Sequence, residues 1–167
     1  TDQGLFEYIQ PILAFPFLKR YNRFLQYRIG KKMVKNYILE NGLPDIVHLQ
    51  SALAGKLALW LQKEYQIPFI VTEHSSAFQR QKLSSSEISL AKEVFSSSNY
   101  NVAVSDVLAQ DLFMLFNQDF IVIPNIVDTD YFTPATRQNK KFTFLNVAHL
   151  NSNKNHQLLI QAFAKLV

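Results

Sequence analysis

Apolar residues recur at every third or fourth position along the first long segment of the chain, residues 18–42. This spacing predicts an amphipathic helix whose basic residues occupy the side opposite to the apolar ones. Asn41-Gly42 favours a helix end at this point, and Pro44 prevents the helix from continuing. The apolar positions are Leu18, Tyr21, Leu25, Ile29, Met33 and Tyr37.

Five shorter segments are apolar almost throughout and rich in β-branched residues, which is typical of strands buried on both faces. These predicted strands are residues 45–50, 67–74, 101–105, 120–124 and 142–150. Helical patterns follow the first three strands and the fifth, over residues 52–65, 85–98, 106–116 and from near His156 onward. The first of these helices is expected to begin at Ser51 and the third at Ser105. The second is expected to begin at a serine, with Glu87 in its first turn.

The alternation of strands and helices predicts an α/β fold with a parallel sheet and flanking helices. The polar residues 135–141 separate the fourth strand from the fifth and are predicted to be a linker. In such folds, ligands lie beyond the carboxyl ends of the strands. Candidate functional residues are therefore those that follow each strand, namely Gln50, His74, Ser75, Ser76, Ser105, Asp106, Asn125 and the segment from His149 to Lys154.

His74 ends the second predicted strand. An imidazole at this place can donate to a phosphate or a sugar hydroxyl, or move a proton near neutral pH. The alternative is a histidine that hydrogen-bonds a neighbouring loop. Glu73 alternates to the other face of the strand, so the two side chains need not cooperate.

Ser105 and Lys154 precede predicted helices. Ser105 is expected to cap the backbone donors of the helix that begins at Asp106, and its hydroxyl can also help to bind an anion. Lys154 lies at a loop-to-helix junction, where a cation and free backbone N–H groups together suit a phosphate. The alternative is that Lys154 is an exposed lysine without a ligand. The same two interpretations, phosphate binding or simple exposure, apply to His149. The glycines of a P-loop or a dinucleotide fingerprint are missing.

Charge is unevenly distributed along the chain. The 167 residues carry a net charge of +4 and contain no cysteine, which excludes disulfides and thiolate metal sites. Seven basic residues and no acidic residue lie between Tyr8 and Leu39. A basic helix of this kind attracts phosphates, anionic membranes or nucleic acid, or is simply a solvated helix face. The sequence has no Gly-x-Ser-x-Gly elbow, metal-ligand pattern or membrane-spanning apolar run.

Five segments resemble, in the right order, motifs of family 4 glycosyltransferases with the GT-B fold. "PDIVHLQSALAGKLALWL", "IPFIVTEHS" and "VAVSDVLAQDL" are similar to strands and following segments of their N-terminal domain. "PNIVDTDYFTP" resembles the Pro-Asn-Gly-Val-Asp…Phe-x-Pro segment that closes that domain. "FLNVAHLNSNKNHQLLIQAFAKL" is similar to the opening of the C-terminal domain. Together the motifs cover residues 44–167.

The resemblance implies a Rossmann-like, acceptor-side domain over residues 1–134, the linker 135–141, and the start of a second Rossmann-like, donor-side domain over residues 142–167. Asp128 and Asp130 would form the turn between the domains. The implied activity is retaining, metal-independent transfer of a hexose from a nucleotide-sugar donor to a glycan or lipid-linked acceptor, such as a cell-envelope polysaccharide. No cofactor is implied besides the donor substrate.

The resemblance also assigns residues. The family's cleft histidine matches His74, which is the expected catalytic residue, and the lysine that holds the donor diphosphate matches Lys154. Ser75, Ser105 and Asn125 are expected in the cleft or its loops. The family's phosphate-binding arginine stands here as His149, a weaker and pH-dependent cation. This departure motivates an alternative, a noncatalytic carbohydrate- or partner-binding module of the same fold.

By the same resemblance the chain is expected to be a fragment, inactive by itself. The family's first strands would precede residue 1, and its paired-glutamate donor motif would follow residue 167. An exposed sheet edge, and self-association along it, are then expected. We expect a cytoplasmic protein with peripheral contact to the inner membrane face through helix 18–39. No nucleic-acid motif accompanies the basic charge, so no nucleic-acid partner is expected.

Overall fold

The computed structural model describes residues 6–75, 77–78, 80, 83–134 and 143–166. The chain divides into two compact units, Thr1–Ile126 and Val127–Val167. The linker predicted over residues 135–141 lies outside the described residues, as does Ser76. The domain boundaries inferred from the sequence therefore stay a prediction.

Helices and strands alternate in the first unit in the order that the sequence pattern predicts. The elements are α1 (Lys19–Asn41), β1 (Val47–Leu49), a 3-10 turn (Ala52–Ala54), α2 (Lys56–Tyr65), β2 (Phe69–Glu73), α3 (Ser85–Ser97), β3 (Tyr100–Ala103), α4 (Asp106–Phe116) and β4 (Ile121–Val122). The strands form one sheet in the order β1-β2-β3-β4, and every pair is parallel. This confirms the α/β fold with a Rossmann-like parallel sheet and flanking helices.

The register of the sheet aligns the carboxyl ends of its strands. Leu49 pairs with Val71, Glu73 pairs with Ala103, and Ala103 pairs with Val122. Each strand is shorter than the apolar segment that predicts it. Backbone pairing ends where the neighbouring strand ends, whereas apolar side chains can still pack in the core beyond that point.

Aromatic rings form the centre of the core of the first unit. Their centroids lie 5.0 to 6.2 Å apart in edge-to-face and tilted arrangements, which are the favoured geometries for such pairs. Phe69, Val71 and Leu112 belong to the same cluster and are fully buried. The rings are those of Phe78, Phe95, Phe116 and Phe120.

Two of the predicted helix starts are confirmed by their hydrogen bonds. The Ser105 hydroxyl accepts from the N–H of Leu108 at 3.3 Å and so caps α4. The Glu87 carboxylate accepts from the N–H of Ser84 at 2.9 Å and from its hydroxyl at 2.6 Å, which holds the first turn of α3.

The prediction of one continuous helix over residues 52–65 is wrong for the first turn. Ser51 caps the 3-10 turn, where its hydroxyl accepts from the N–H of Leu53 at 3.3 Å, and α2 begins only at Lys56. Gly55 lies between the two elements, and a Cβ there would overlap Cγ2 of Val94 on α3. Close packing of α3 at this point therefore requires glycine, a constraint that periodicity does not reveal.

α1 packs on α2 with part of its basic side. The Lys31 Nζ lies 4.2 Å from the centroid of the Trp60 ring, and the Lys35 Nζ lies 5.9 Å from it. The helix ends as predicted at Gly42, which has φ +85° and donates its N–H to the Ile38 carbonyl at 2.9 Å. In the part of the chain that the structure describes, no helix is both long enough and apolar enough to cross a bilayer.

The second unit contains a 3-10 turn (Ser152–Lys154) and α5 (His156–Ala164). The strand predicted over residues 142–150 is wrong, because the described residues 143–150 form no strand. A strand needs a neighbour to take up its backbone hydrogen bonds, and the described residues of this unit provide no other strand. Phe144 instead packs edge-on against Phe163 of α5, with 5.5 Å between ring centroids.

Asp128 forms a turn at the start of the second unit. Its Oδ1 accepts from the N–H groups of Asp130 and Tyr131, each at 3.0 Å. This confirms the expectation that Asp128 is a turn former, since an aspartate side chain that binds N–H groups two and three residues later stabilises a turn.

Candidate functional site

The carboxyl ends of the four parallel strands form one edge of the sheet, and the predicted site residues of the first unit lie along it. Gln50 follows β1, and His74 and Ser75 follow β2. Ser105 follows β3, and Asn125 follows β4. Because β1 and β2 are neighbours, the structure brings Gln50 and His74 into direct contact.

The exposed His74 imidazole is held by its contact with Gln50. Its Nε2 lies 2.9 Å from Oε1 of Gln50. Since an amide oxygen only accepts, Nε2 carries the proton in this contact, and Nδ1 keeps the lone pair when the ring is neutral. Nδ1 is therefore the ring atom that can take up a proton or, in the charged ring, donate to a ligand.

His48 and Thr72 extend this contact across β1 and β2. The amide nitrogen of Gln50 lies 3.3 Å from Nδ1 of His48, and Nε2 of His48 lies 2.8 Å from the Thr72 hydroxyl. A chain of hydrogen bonds thus runs from Thr72 through His48 and Gln50 to His74. Such a network restricts the rotamers of its members more than separate contacts would.

Glu73, directly before His74, is completely buried. Its Oε1 accepts from the backbone N–H groups of His74 at 3.1 Å and Ser75 at 2.9 Å. Its Oε2 accepts from the N–H of Ala52 at 3.1 Å and the hydroxyl of Ser51 at 3.3 Å. As strand alternation predicts, the Glu73 side chain is buried whereas the His74 side chain is exposed. The Glu73 carboxylate nevertheless holds the backbone of His74.

The remaining predicted residues of this edge have structural contacts of their own. Ser75 is partly buried, and its hydroxyl accepts from the N–H of Ala77 at 3.1 Å. The Ser105 hydroxyl is occupied as the cap of α4, and Asn125 is exposed. Their roles as ligand contacts stay predictions.

A cavity of about 360 Å³ opens between α1, the 3-10 turn and the start of α3. The 3-10 turn follows the carboxyl end of β1, and α3 is the first helix after the carboxyl end of β2. The Arg23 guanidinium on α1 meets the Glu87 carboxylate on α3 at 3.1 Å. Tyr27, Lys56 and Ser86 also line the cavity, which therefore combines an aromatic ring with charged and hydroxyl groups.

Lys154 and His149 lie in the second unit, in the segment that precedes α5, and both are exposed. His156 organises this segment. Its Nε2 donates to the His149 carbonyl at 2.9 Å, and its Nδ1 lies 2.9 Å from the side-chain nitrogen of Asn146. Sequence analysis did not identify this role of His156, because the contacts join residues seven and ten positions apart through a loop without periodicity.

Among the described residues, no group of three or more histidine, cysteine, aspartate or glutamate side chains is placed to hold a metal ion. Within the same residues, every buried side-chain nitrogen and oxygen has a hydrogen-bond partner. What the sheet edge does present is an imidazole with amide and hydroxyl groups. Groups of this kind suit the hydroxyls of a sugar and the oxygens of a phosphate.

A family model described as Glycosyltransferase Family 4 matches residues 2–131. The match includes all four strands and therefore the whole edge that carries His74. The chain belongs to glycosyltransferase family 4. No match was found among curated proteins or among solved structures.

The first unit is thus a family 4 glycosyltransferase domain of the N-terminal type. The sequence resemblance is confirmed at this level, and a glycosyltransferase-like role follows from it. The match ends at Tyr131, so the assignment of residues 142–167 to a donor-side domain stays a prediction.

Glu73 is the residue of this glycosyltransferase domain whose importance sequence analysis missed. A signal was present, because an acid stands at the end of a strand that is otherwise apolar apart from Thr72. A carboxylate in a strand buried on both faces needs partners. Those partners were not recognisable, since Ser51 and Ala52 precede Glu73 by 22 and 21 residues.

Proposed function

We propose that the protein is the acceptor-side part of a retaining glycosyltransferase that transfers a hexose from a nucleotide-sugar donor to a glycan or lipid-linked acceptor. Membership of glycosyltransferase family 4 is the observation that carries this proposal. The position of His74 supports it, because α/β sheets bind ligands at the carboxyl ends of their strands. The proposed transfer needs no metal ion and no cofactor besides the donor.

His74 is the proposed catalytic residue. In a retaining transfer the bond from the anomeric carbon to the diphosphate oxygen breaks, and a bond to the acceptor oxygen forms on the same face of the sugar. Negative charge develops on the departing diphosphate oxygen, and this oxygen takes up the proton of the acceptor hydroxyl, either directly or by way of the His74 imidazole. With Nε2 held by Gln50, the imidazole presents Nδ1 to a sugar hydroxyl or phosphate oxygen at this edge.

Lys154 and His149 are proposed to bind the donor diphosphate. An ammonium group makes charge-assisted hydrogen bonds to phosphate throughout the neutral pH range, whereas a histidine does so as a cation only when it is protonated. Lys154 is therefore the main phosphate ligand of the two. Ser75, Ser105 and Asn125 are proposed to contact substrate at the sheet edge.

The cavity beside the 3-10 turn is proposed to receive part of the acceptor. An aromatic ring with a few polar groups around it is the usual lining of a small-ligand pocket. Tyr27 supplies the ring, and Lys56 supplies positive charge for a phosphate in a lipid-linked acceptor, since the charge of Arg23 is paired with that of Glu87.

The 167 residues alone are proposed to be inactive. The described residues of the second unit contain one α-helix, one 3-10 turn and no strand. The ligand sites of α/β folds are built on the ends of paired strands. Lys154 and His149 therefore lack, within the described part of their own unit, the sheet that would position them on a diphosphate.

Donor turnover by the full-length gene product tests the proposal. The substrates are UDP-glucose, UDP-galactose, UDP-N-acetylglucosamine and GDP-mannose, and release of the nucleoside diphosphate is measured with and without EDTA. We expect release from at least one donor at a rate that EDTA does not change. His74→Ala is expected to lower kcat by about 10²-fold or more, as for the loss of an acid–base group. Lys154→Ala is expected to raise the KM of the donor about tenfold or more, since a hydrogen bond to a charged group contributes about 1.5–3 kcal/mol.

Lys63→Ala is the matched control for Lys154→Ala. Lys63 lies in the last turn of α2, which leads into the amino end of β2, at the opposite edge of the sheet from His74. Its kcat and KM should equal those of the wild type. Release from none of the donors would refute the activity, full activity of both His74→Ala and Lys154→Ala would refute the residue roles, and an inverted anomer in the transfer product would refute retention.

His149, in place of the family's arginine, favours a second candidate function. A noncatalytic module of the same fold would bind a donor or a glycan without turning it over. Calorimetry with the same donors separates the two functions, because binding without diphosphate release supports the noncatalytic module. Restoration of turnover by His149→Arg would show instead that the protein is an enzyme weakened at its phosphate site.

A further inference from the structure

Glu73 is a buried carboxylate to which the proposed reaction gives no role. It ends β2 and is completely buried, as is Val71 two residues earlier in the same strand. Transfer of a carboxylate out of water is costly unless hydrogen bonds or an opposite charge compensate for the lost hydration. The contacts that compensate this charge therefore show what the residue holds in place.

Four hydrogen bonds compensate the carboxylate, two at each oxygen, and we call them the carboxylate clamp. On Oε1 the donors are the N–H groups of His74 and Ser75, and on Oε2 they are the N–H of Ala52 and the hydroxyl of Ser51. Every partner donates, which matches an ionised carboxylate because that group only accepts. Among the described residues, no lysine or arginine forms an ion pair with Glu73.

We propose that Glu73 is a positioning residue for His74, because the carboxylate clamp fastens the segment after β2 to the 3-10 turn after β1. The clamp fixes the backbone of His74, while Gln50 fixes its ring at Nε2. Both restraints connect His74 to the residues that follow β1. The part of this inference that concerns catalysis rests on the proposed function, whereas the clamp itself does not.

Glu73→Gln is a sharp probe of the clamp, because the amide has nearly the same shape but only one accepting oxygen. Its NH₂ group would face two donors, either His74 and Ser75 or Ser51 and Ala52, so two of the four hydrogen bonds would be lost. Glu64→Gln is the matched control, since it makes the same chemical change at an exposed position of α2.

Amide hydrogen exchange on the 167-residue chain, followed residue by residue by NMR, tests the clamp directly. In the wild type we expect slow exchange at Ala52, His74 and Ser75. Glu73→Gln is expected to speed exchange about tenfold or more at Ala52 or at His74 and Ser75, as for the loss of a hydrogen bond to a charged group. Glu64→Gln should leave these rates unchanged. Unprotected amides at all three positions of the wild type would overturn the proposal, even if Glu73→Gln does not fold.

A double-mutant cycle in the full-length gene product tests the positioning of His74. In the donor assay, Glu73→Gln is expected to lower kcat by about tenfold to 10²-fold, as for a misplaced catalytic group, with little change in the KM of the donor. In the His74→Ala background the same substitution should have no further effect. Losses that multiply would overturn the positioning role. If no donor is turned over, the proposed function fails, and the exchange rates still decide whether the clamp exists.

Discussion

At the scale of single residues, buried polar side chains hydrogen-bond the ends of neighbouring helices and strands to each other. The apolar core brings these ends close together but does not fix their positions. Glu73 does this at the carboxyl edge of the sheet. Asn101 does it between α3 and β3, where its side-chain nitrogen donates to the Phe95 carbonyl at 3.1 Å and its Oδ1 accepts from the Ser98 hydroxyl. Because Asn101 is buried, water cannot replace these hydrogen bonds without an opening of the structure.

Asn101→Ala is expected to lower the free energy of unfolding by about 1–3 kcal/mol, since it leaves buried groups without a partner. Urea unfolding followed by circular dichroism measures the change. Asn36→Ala, at an exposed position of α1, is the control and is expected to change stability by no more than about 0.5 kcal/mol. Equal effects of the two substitutions would contradict a structural role of Asn101.

At the scale of elements, α1 packs on α2 and also exposes basic side chains to solvent. The packing on α2 involves Lys31 and Ile38. Several basic side chains of the helix are exposed, and residues 6–18 immediately before the helix expose several apolar side chains. Exposed basic residues beside apolar side chains are what an anionic bilayer surface attracts. The basic residues are Arg20, Arg28 and Lys32, and the apolar residues include Phe6, Ile9, Leu13 and Phe17.

The protein is therefore expected to bind vesicles that contain phosphatidylserine and not vesicles of phosphatidylcholine alone. Combined substitution of Arg20, Arg28 and Lys32 by alanine should weaken binding by about 10²-fold, since each basic residue near the surface contributes about 1 kcal/mol. The control removes three exposed lysines elsewhere, Lys63, Lys92 and Lys165. Co-sedimentation measures both. Binding that does not depend on the anionic lipid, or equal losses in the two triple variants, would refute the membrane contact of α1.

At the scale of the whole molecule, β1 is an edge strand of the sheet that the described residues form. Val47 donates its N–H to the Pro68 carbonyl at 3.0 Å, so the backbone groups of the next residue, His48, face the opposite side of the strand. Among the described residues no strand pairs on that side. Unpaired backbone groups along an edge strand favour pairing with another chain.

The 167-residue chain is therefore expected to self-associate as its concentration rises, which sedimentation velocity detects. Ile46 directly precedes the edge strand β1 and is half-exposed. Ile46→Lys should shift the self-association equilibrium towards the monomer, because a charge on an edge strand opposes pairing. Leu39→Lys, at an exposed position of α1, is the matched control and should associate as the wild type does. A wild-type chain that stays monomeric at all concentrations would contradict this prediction.

The sequence by itself determined most of the elements and the edge where the candidate site lies. The apolar segments predict β1 to β4, Gly42 ends α1, and Ser105 begins α4, because each of these signals depends on residues a few positions apart. Strand–helix alternation then predicts a parallel sheet, and a parallel sheet places His74 at its carboxyl edge.

Only the tertiary structure decided which residues act together at that edge. Two hydrogen bonds of the carboxylate clamp and the contact of Gln50 with His74 join positions 21 to 24 apart, and no periodicity in the sequence indicates a hydrogen bond over that separation. The predicted strand over residues 142–150 failed for the same reason. Apolar character indicates that burial of a segment is favourable. Strand formation also requires a neighbouring strand to pair with, and the sequence alone does not show whether one lies beside the segment.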